Sequence, residues 1–178
     1  LFLGDSIMNT GVFPMEMWEK YGIAGYNIAS YGNTLPITYW ALQNALDYAK
    51  PKLVVLDVQG VSKSYKLSGN SSDVHTAFDC YSISKTKIEA LDDLMDDPNA
   101  VDDDGVAYVD MKWEYLFTLG KYHARWSELT DTDFHPVYNR EKGAKSVIAV
   151  ADVGDYDLID EDMATEESGQ TGFVYLRK

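Results

Sequence analysis

Residues 1–60 alternate short apolar runs with helical patterns, and this alternation constrains the fold more than any other feature. The predicted elements, in order, are a strand at 1–3, a helix at 14–21, a strand at 24–29, a helix from about 34 to 50 and a strand at 52–58. This order predicts a parallel sheet with right-handed crossovers. The unbroken apolar centre of the third strand predicts burial on both faces.

The regular alternation ends at Gly60. Residues 62–84 are rich in polar residues and predict a loop, whereas the apolar positions of 85–97 recur at helical spacing. Residues 108–129 predict an aromatic-rich helical stretch with a break at Gly120. We expect a single domain over 1–178, in which 62–145 form a loop and helical insertion. Packing is the expected role of its aromatic side chains, with a sugar-binding platform as the alternative. Residues 146–153 predict one further strand.

Composition excludes several classes of function. The formal net charge of -14 leaves no basic patch for phosphates, so we expect no nucleic-acid partner. Cys80 is the only cysteine, which excludes an intramolecular disulfide and a thiolate metal cluster. The three histidines, His75, His123 and His135, lack ligand spacing, so we expect no metal. No glycine-rich phosphate loop is present, and we expect no organic cofactor.

The chain begins without Met, inside the first predicted strand. It stops after a short strand-like piece at 173–176 without a closing amphipathic helix. We therefore expect a domain that is truncated at both ends. A signal or anchor upstream would favour an extracytoplasmic or cell-surface location.

Gly4-Asp5-Ser6 follows the first predicted strand directly. The carboxyl edge of an open α/β sheet is where ligands bind, so a serine in this turn is well placed as a nucleophile. Backbone N–H groups around it would stabilise an oxyanion. The alternative is an ordinary turn in which Ser6 is a helix N-cap.

With the second block, Asn27 to Thr34, the segment 1–60 resembles the SGNH, or GDSL, hydrolase superfamily. The stretch Tyr122–Leu129 resembles uncharacterised Firmicutes members of that superfamily. The resemblance implies a three-layer α/β/α domain with a flavodoxin-like parallel sheet. It also implies that Ser6 is the nucleophile and that the N–H groups of Ser6 and Gly32 are oxyanion donors.

Two departures from the superfamily pattern concern the same site. The third block should read Gly-x-Asn-Asp, but Gly60-Val61-Ser62-Lys63 stands in its place. Gln59 or Ser62 are the candidate substitutes for the third oxyanion donor, and Asn33 is a further substrate-binding candidate.

The second departure is the absence of the catalytic Asp-x-x-His. Its nearest approach is Asp133-Phe134-His135. Three explanations remain open: the dyad lies beyond Lys178, His135 replaces it with Asp133 or Asp131 as orienter, or the protein is noncatalytic.

The resemblance implies a serine esterase or acyltransferase that acts on acyl esters, with O-acetyl esters of carbohydrate as the expected substrate. The expected partner is thus a small acyl ester or carbohydrate, and no cofactor is required. The alternative is a noncatalytic carbohydrate-binding or structural module with the same fold.

Overall fold

The computed structural model of the chain describes residues 1–59, 67, 71–134 and 141–146 and shows mixed α/β structure. The elements are β1 (Phe2–Leu3), α1 (Ser6–Gly11), α2 (Pro14–Tyr21), α3 (Leu35–Tyr48), β2 (Val55–Leu56), α4 (Ser71–Phe78), α5 (Lys85–Leu94), α6 (Tyr108–Leu116), α7 (Thr118–Tyr122) and α8 (Asp131–Phe134), with a 3₁₀ helix at His123–Glu128. Among the described helices, none combines the length and the apolar character that a membrane span requires.

The sheet is small and parallel, and β1 lies at its centre. On one side β1 pairs with β2, Phe2 opposite Val55 and Leu3 opposite Leu56. On the other side Phe2 forms a single parallel bridge to Asn27, where the sequence predicts a whole strand. Backbone hydrogen bonds from Ile28 to Phe2 and from Asp57 to Leu3 extend both ladders. A parallel sheet is confirmed, but it is shorter than the sequence pattern indicates.

The prediction that the third strand is buried on both faces is wrong for the described structure. Leu53 is 70% exposed and Val58 is 73% exposed. Burial of both faces requires covering layers along the whole strand. In the described ranges β2 pairs only with β1. Most of the predicted strand at 146–153 lies outside the described residues.

The first two long helices begin and end where the sequence predicts. Pro14 is the first residue of α2, and Gly22 ends that helix in the left-handed conformation with φ of 68°. Thr34 precedes α3, which ends at Tyr48, shortly before Pro51. These boundaries are confirmed because proline and glycine act through local backbone geometry, which does not depend on the tertiary fold.

Two expectations for the second half are corrected. Residues 71–78, predicted as loop, form α4, because Val74, Ala77 and Phe78 recur at helical spacing and are buried. The aromatic-rich stretch breaks at Phe117, between α6 and α7, and Gly120 lies inside α7.

The main apolar core lies among α3, α4, α5 and α6. Its most deeply buried members, each at 0% exposure, are Phe78, Leu91, Met95, Tyr108 and Tyr115. Burying a side chain of this size contributes about 1.5–3 kcal/mol. A packing role is wrong for three other aromatic side chains of the insertion, which are largely exposed: Trp113, Phe117 and Trp126.

Candidate functional site

Ser6 is the first residue of α1, and a tight turn at Gly4 and Asp5 connects it to β1. Gly4 has φ of 149°, a conformation that side chains rarely permit. A Cβ at Gly4 would also lie 3.2 Å from Oδ2 of Asp57 and 3.3 Å from its Cγ, with the Asp57 Cβ closer still. Asp57 follows β2, so this close approach joins the carboxyl ends of the two paired strands.

Asn33 joins the turn after β1 to the loop after the Asn27 bridge. Its backbone N–H donates to Oδ1 of Asp5 at 3.2 Å, and its Nδ2 donates to the Gly4 carbonyl at 2.9 Å. Asn33 is 2% exposed and Asp5 is 4% exposed. The net contribution of a typical hydrogen bond is about 0.5–1.5 kcal/mol, but breaking a buried one costs more. The structure therefore brings together the two sequence blocks that carry Ser6 and Gly32.

Gly32 adopts φ of 66° beside the first turn of α4. A Cβ at Gly32 would lie 2.5 Å from Oδ2 of Asp73 and 2.9 Å from its Cβ and Cγ. Two independent constraints therefore require glycine at this position: the backbone conformation and the neighbouring Asp73 side chain. The sequence carries no local signal for this contact, because Asp73 is distant from Gly32 along the chain.

The hydroxyl of the predicted nucleophile and the N–H groups of the predicted oxyanion donors form no hydrogen bonds to other groups in the described structure. Within the described ranges, neither the Ser6 N–H nor the Gly32 N–H has an acceptor. Thr10 Oγ1 donates to the Ser6 carbonyl at 2.8 Å, whereas the Ser6 hydroxyl is bonded to no described group. No described residue is therefore in place to take the proton of this hydroxyl.

Asp133, a candidate orienter, has both carboxylate oxygens engaged locally. Arg125 donates to Oδ1 at 2.7 Å, and the N–H and hydroxyl of Thr130 donate to Oδ2 at 2.8 and 3.0 Å. The bonds from Thr130, followed by the Arg125 charge, hold the pKa of Asp133 below its usual value. Its proposed partner His135 lies outside the described residues. Glu128 lies three residues after Arg125, but among the described residues Arg125 forms its ion pair with Asp133.

Of the two candidate substitutes for the third oxyanion donor, Gln59 lies within the described residues and Ser62 lies outside them. Ser62 and the rest of its block, from Gly60 to Lys63, lie outside the described residues. The Gln59 backbone N–H donates to Oδ1 of Asp57 at 2.9 Å, and Oδ2 of Asp57 has no partner among the described groups. Asn33 Oδ1 is likewise buried and has no partner among them.

His75 is a titratable residue whose setting differs from the predicted one. The sequence pattern predicts a polar loop without a partner, but His75 lies on α4, is 3% exposed, and its Nδ1 is 2.9 Å from Oδ1 of Asp79. The Tyr122 hydroxyl donates to Asp79 at 2.7 Å, and the Tyr115 ring stacks on the imidazole at 3.9 Å. The signal in the sequence is the His–Asp spacing of four, which places both on one helix face.

A cavity of about 440 Å³ lies beside this pair, between α4 and α7. Its lining residues are Ser72, His75, Thr76, Asp79, Cys80, Lys121 and Tyr122. Ser6 is not among them, so the cavity does not connect the His75–Asp79 pair to the serine. Burial raises the pKa of the Cys80 thiol, which opposes a role for Cys80 as a thiolate nucleophile.

No group of three His, Cys, Asp or Glu side chains in the described part of the chain is arranged to hold a metal ion. Comparison with protein-family models, with curated proteins and with solved structures finds no match. The site's geometry and the sequence are thus the basis for the functional proposal.

Proposed function

We propose that the protein is a serine esterase or acyltransferase of the SGNH type, acting on O-acetyl esters, with carbohydrate esters as the preferred class. Ser6 is the nucleophile, and the N–H groups of Ser6 and Gly32 bind the oxyanion. The three-layer flavodoxin-like fold is part of this proposal, and the parallel pairing of β1 on both sides supports it.

The observation that carries the proposal is the pair of hydrogen bonds from Asn33 to Asp5 and Gly4. Gly-Asp-Ser and the Gly32 loop are separate motifs in the sequence. Their loops are hydrogen-bonded in the structure although the intervening chain contains two helices, α1 and α2. Two independent motifs that meet at one sheet edge favour a site over two unrelated turns.

The proposed reaction has two steps. The Ser6 oxygen attacks the acyl carbonyl carbon, and the resulting oxyanion accepts hydrogen bonds from the two N–H groups. The ester oxygen then leaves with a proton, and the acyl group remains bound to Ser6. Water or a sugar hydroxyl attacks this acyl-enzyme in the second step, which gives hydrolysis or transfer. Each oxyanion donor of this kind contributes about 2.7–4 kcal/mol to transition-state stabilisation.

The proton acceptor is proposed to be a histidine outside the described residues, and His135 is a candidate. The His75–Asp79 pair has the bonding pattern of a catalytic dyad, and the His75 Nε2 has no partner among the described groups, but the cavity that His75 lines does not include Ser6. Replacing His135 by Gln should abolish esterase activity if it is the base. Replacing His75 by Gln should leave the turnover number of the folded fraction unchanged.

A fluorophosphonate probe tests the nucleophile directly. The wild-type chain should be labelled once and should hydrolyse p-nitrophenyl acetate, and Ser6→Ala should lose both properties. Ser82→Ala changes an exposed serine between α4 and α5 and is the matched control. Labelling that persists in Ser6→Ala, or a wild type that is neither labelled nor active, would contradict the proposal.

A second candidate function is a noncatalytic carbohydrate-binding module, which two observations favour. Ser6 has no described base, and the rings of Trp113 and Phe117 stack at 5.8 Å and 9° while 68% and 52% exposed. Parallel exposed rings offer flat apolar faces to a sugar ring. Under this hypothesis Trp113→Ala should reduce binding to a neutral oligosaccharide, and Trp126→Ala, at the same 68% exposure, should not.

A further inference from the structure

We infer that Asp73 of α4 sets the charge selectivity of the site, so that neutral and cationic acyl esters are preferred over anionic ones. This inference rests on the proposed function, because it assigns the Gly32 N–H to the oxyanion. It concerns a residue that neither the sequence pattern nor the SGNH resemblance selects.

The geometric basis is the contact between α4 and the Gly32 loop. The position of a Cβ on Gly32 is 2.5 Å from Oδ2 of Asp73. Since a carbon–carbon bond is about 1.5 Å long, the carboxylate oxygen lies within about 4 Å of the Gly32 Cα. Apart from the two chain neighbours of Gly32, the three described heavy atoms nearest to this Cβ position all belong to Asp73.

The negative charge of Asp73 has no cationic neighbour in ion-pair contact within the described part of the chain. Among the described lysines and arginines, none forms an ion pair with it, and the side chain is half-buried in the first turn of α4. Asp57 and Asp5 lie on the Gly4 side of the same loops, and the described cation at the Gly32 loop is Lys145, whose Nζ lies over the Tyr31 ring at 4.6 Å rather than against Asp73.

A fixed negative charge at this distance opposes any further negative charge on the substrate. The oxyanion is common to every ester, so Asp73 lowers the rate for all of them to a similar degree. A second charge on the acyl group adds repulsion that a neutral acyl group does not experience. The difference between the two classes of ester therefore isolates the effect of Asp73 on specificity.

The test compares p-nitrophenyl acetate with the mono-p-nitrophenyl ester of succinic acid, whose acyl group carries a carboxylate. In Asp73→Asn, kcat/KM for the succinate ester should rise about fivefold relative to the acetate ester, as expected for charges about 5–6 Å apart at an effective dielectric constant near 60. The gain should diminish as NaCl is raised from 10 mM to 1 M. Asp110→Asn makes the same change of charge in the exposed first turn of α6 and should leave the ratio unchanged.

Several outcomes would contradict the inference. A ratio that is unchanged in Asp73→Asn overturns it, while hydrolysis of acetate by the same protein leaves the proposed function standing. A similar loss of activity toward both esters would assign Asp73 a structural or catalytic role. If neither ester is hydrolysed and Ser6 is not labelled, the proposed function fails and this inference fails with it.

Discussion

The sheet region, residues 1–59, and the helical region, residues 71–134, bury different kinds of side chain. The sheet region buries several polar side chains that bond to backbone groups of neighbouring segments: Asp5, Asn9, Asn27 and Asn33. The helical region contributes nearly all of the main apolar cluster, and its deeply buried polar side chains are His75, Lys87 and Asp102.

The two kinds of buried side chain contribute differently to the structure. Apolar burial is non-directional and supplies most of the free energy of folding. Hydrogen bonds to backbone carbonyls are directional and fix the relative position of loops. Asn27 illustrates the second contribution, since its Nδ2 donates to the carbonyls of Met8 and Val12 and its Oδ1 accepts from the Ala29 N–H. The candidate site lies where loops are positioned by polar contacts, and the helical region stabilises the fold beside it.

The largest effect is expected in the helical region. Phe78→Ala removes a ring at 0% exposure from the centre of the apolar cluster, and we expect a loss of about 3–5 kcal/mol in the free energy of unfolding. Urea denaturation followed by circular dichroism measures this loss. The fraction that remains folded should be labelled by fluorophosphonate at the wild-type rate. A small destabilisation would show that this cluster is not the main source of stability.

The complementary change breaks the polar contacts of the site. Asn33→Ala should cost about 1–3 kcal/mol, because the buried Gly4 carbonyl loses the closer of its two donors and keeps only the Ser30 N–H at 3.3 Å. Labelling of Ser6 should slow in the folded protein, because the Asn33 side-chain bond between the two loops is lost while the bonds from the Asn33 and Ser30 N–H groups remain. Asn27→Ala is the control, since it breaks comparable bonds to Met8 and Val12. If both variants slow labelling equally, the effect of Asn33 is one of general stability.

Gly22 and Gly32 have similar φ angles, so a comparison of their alanine variants separates the cost of backbone strain from the cost of a steric contact. Gly22 has φ of 68° and open space around its Cα, so Gly22→Ala should cost about 1–2 kcal/mol. Gly32 has φ of 66° but lies against Asp73, so Gly32→Ala should destabilise the protein further and displace the loop. Chemical denaturation of both variants gives the difference. Equal losses would mean that the Asp73 contact is easily relieved.

The effect that we expect to be smallest at neutral pH is a dependence on alkaline pH in the helical region. Burial, and then the charges of Asp102, Asp103 and Asp73, raise the pKa of Tyr108 to about 12. An unfolded tyrosine ionises near pH 10, so the stability that the neutral phenol contributes is complete below pH 10 and is lost as the pH rises through 12. Thermal unfolding between pH 9 and 12 should show this decline, and Tyr108→Phe should reduce its slope. If the slope of stability against pH is unchanged in Tyr108→Phe, the decline does not come from Tyr108.

Features that depend on local chemistry could be predicted correctly from the sequence. Pro14 and Gly22 bound α2, and the strand–helix alternation predicts a parallel sheet. The motifs that contain Gly4 and Gly32 stand out in the sequence, and both glycines adopt positive φ against a close neighbour, which requires glycine.

Features that depend on distant pairing could not be predicted in the same way. The contact of Asp73 with Gly32 and the bond of Tyr122 to Asp79 join residues that are far apart in the sequence. Composition misled for α4, since serine and aspartate at its start are typical of loops and of helix N-termini alike. Exposure also misled: Trp113 is at helical spacing with Leu116, which packs against the core, yet the Trp113 ring lies on the surface.

The most direct test of Ser6 as the nucleophile is to trap the acyl-enzyme. The protein is mixed with p-nitrophenyl acetate, quenched in acid within milliseconds and digested, and the peptides are analysed by mass spectrometry. We predict one acetyl group on the peptide that contains Ser6, with formation slowed in Asn33→Ala and absent in Ser6→Ala. Acetyl groups spread over lysines, or none on the Ser6 peptide while the ester is hydrolysed, would contradict the proposed mechanism.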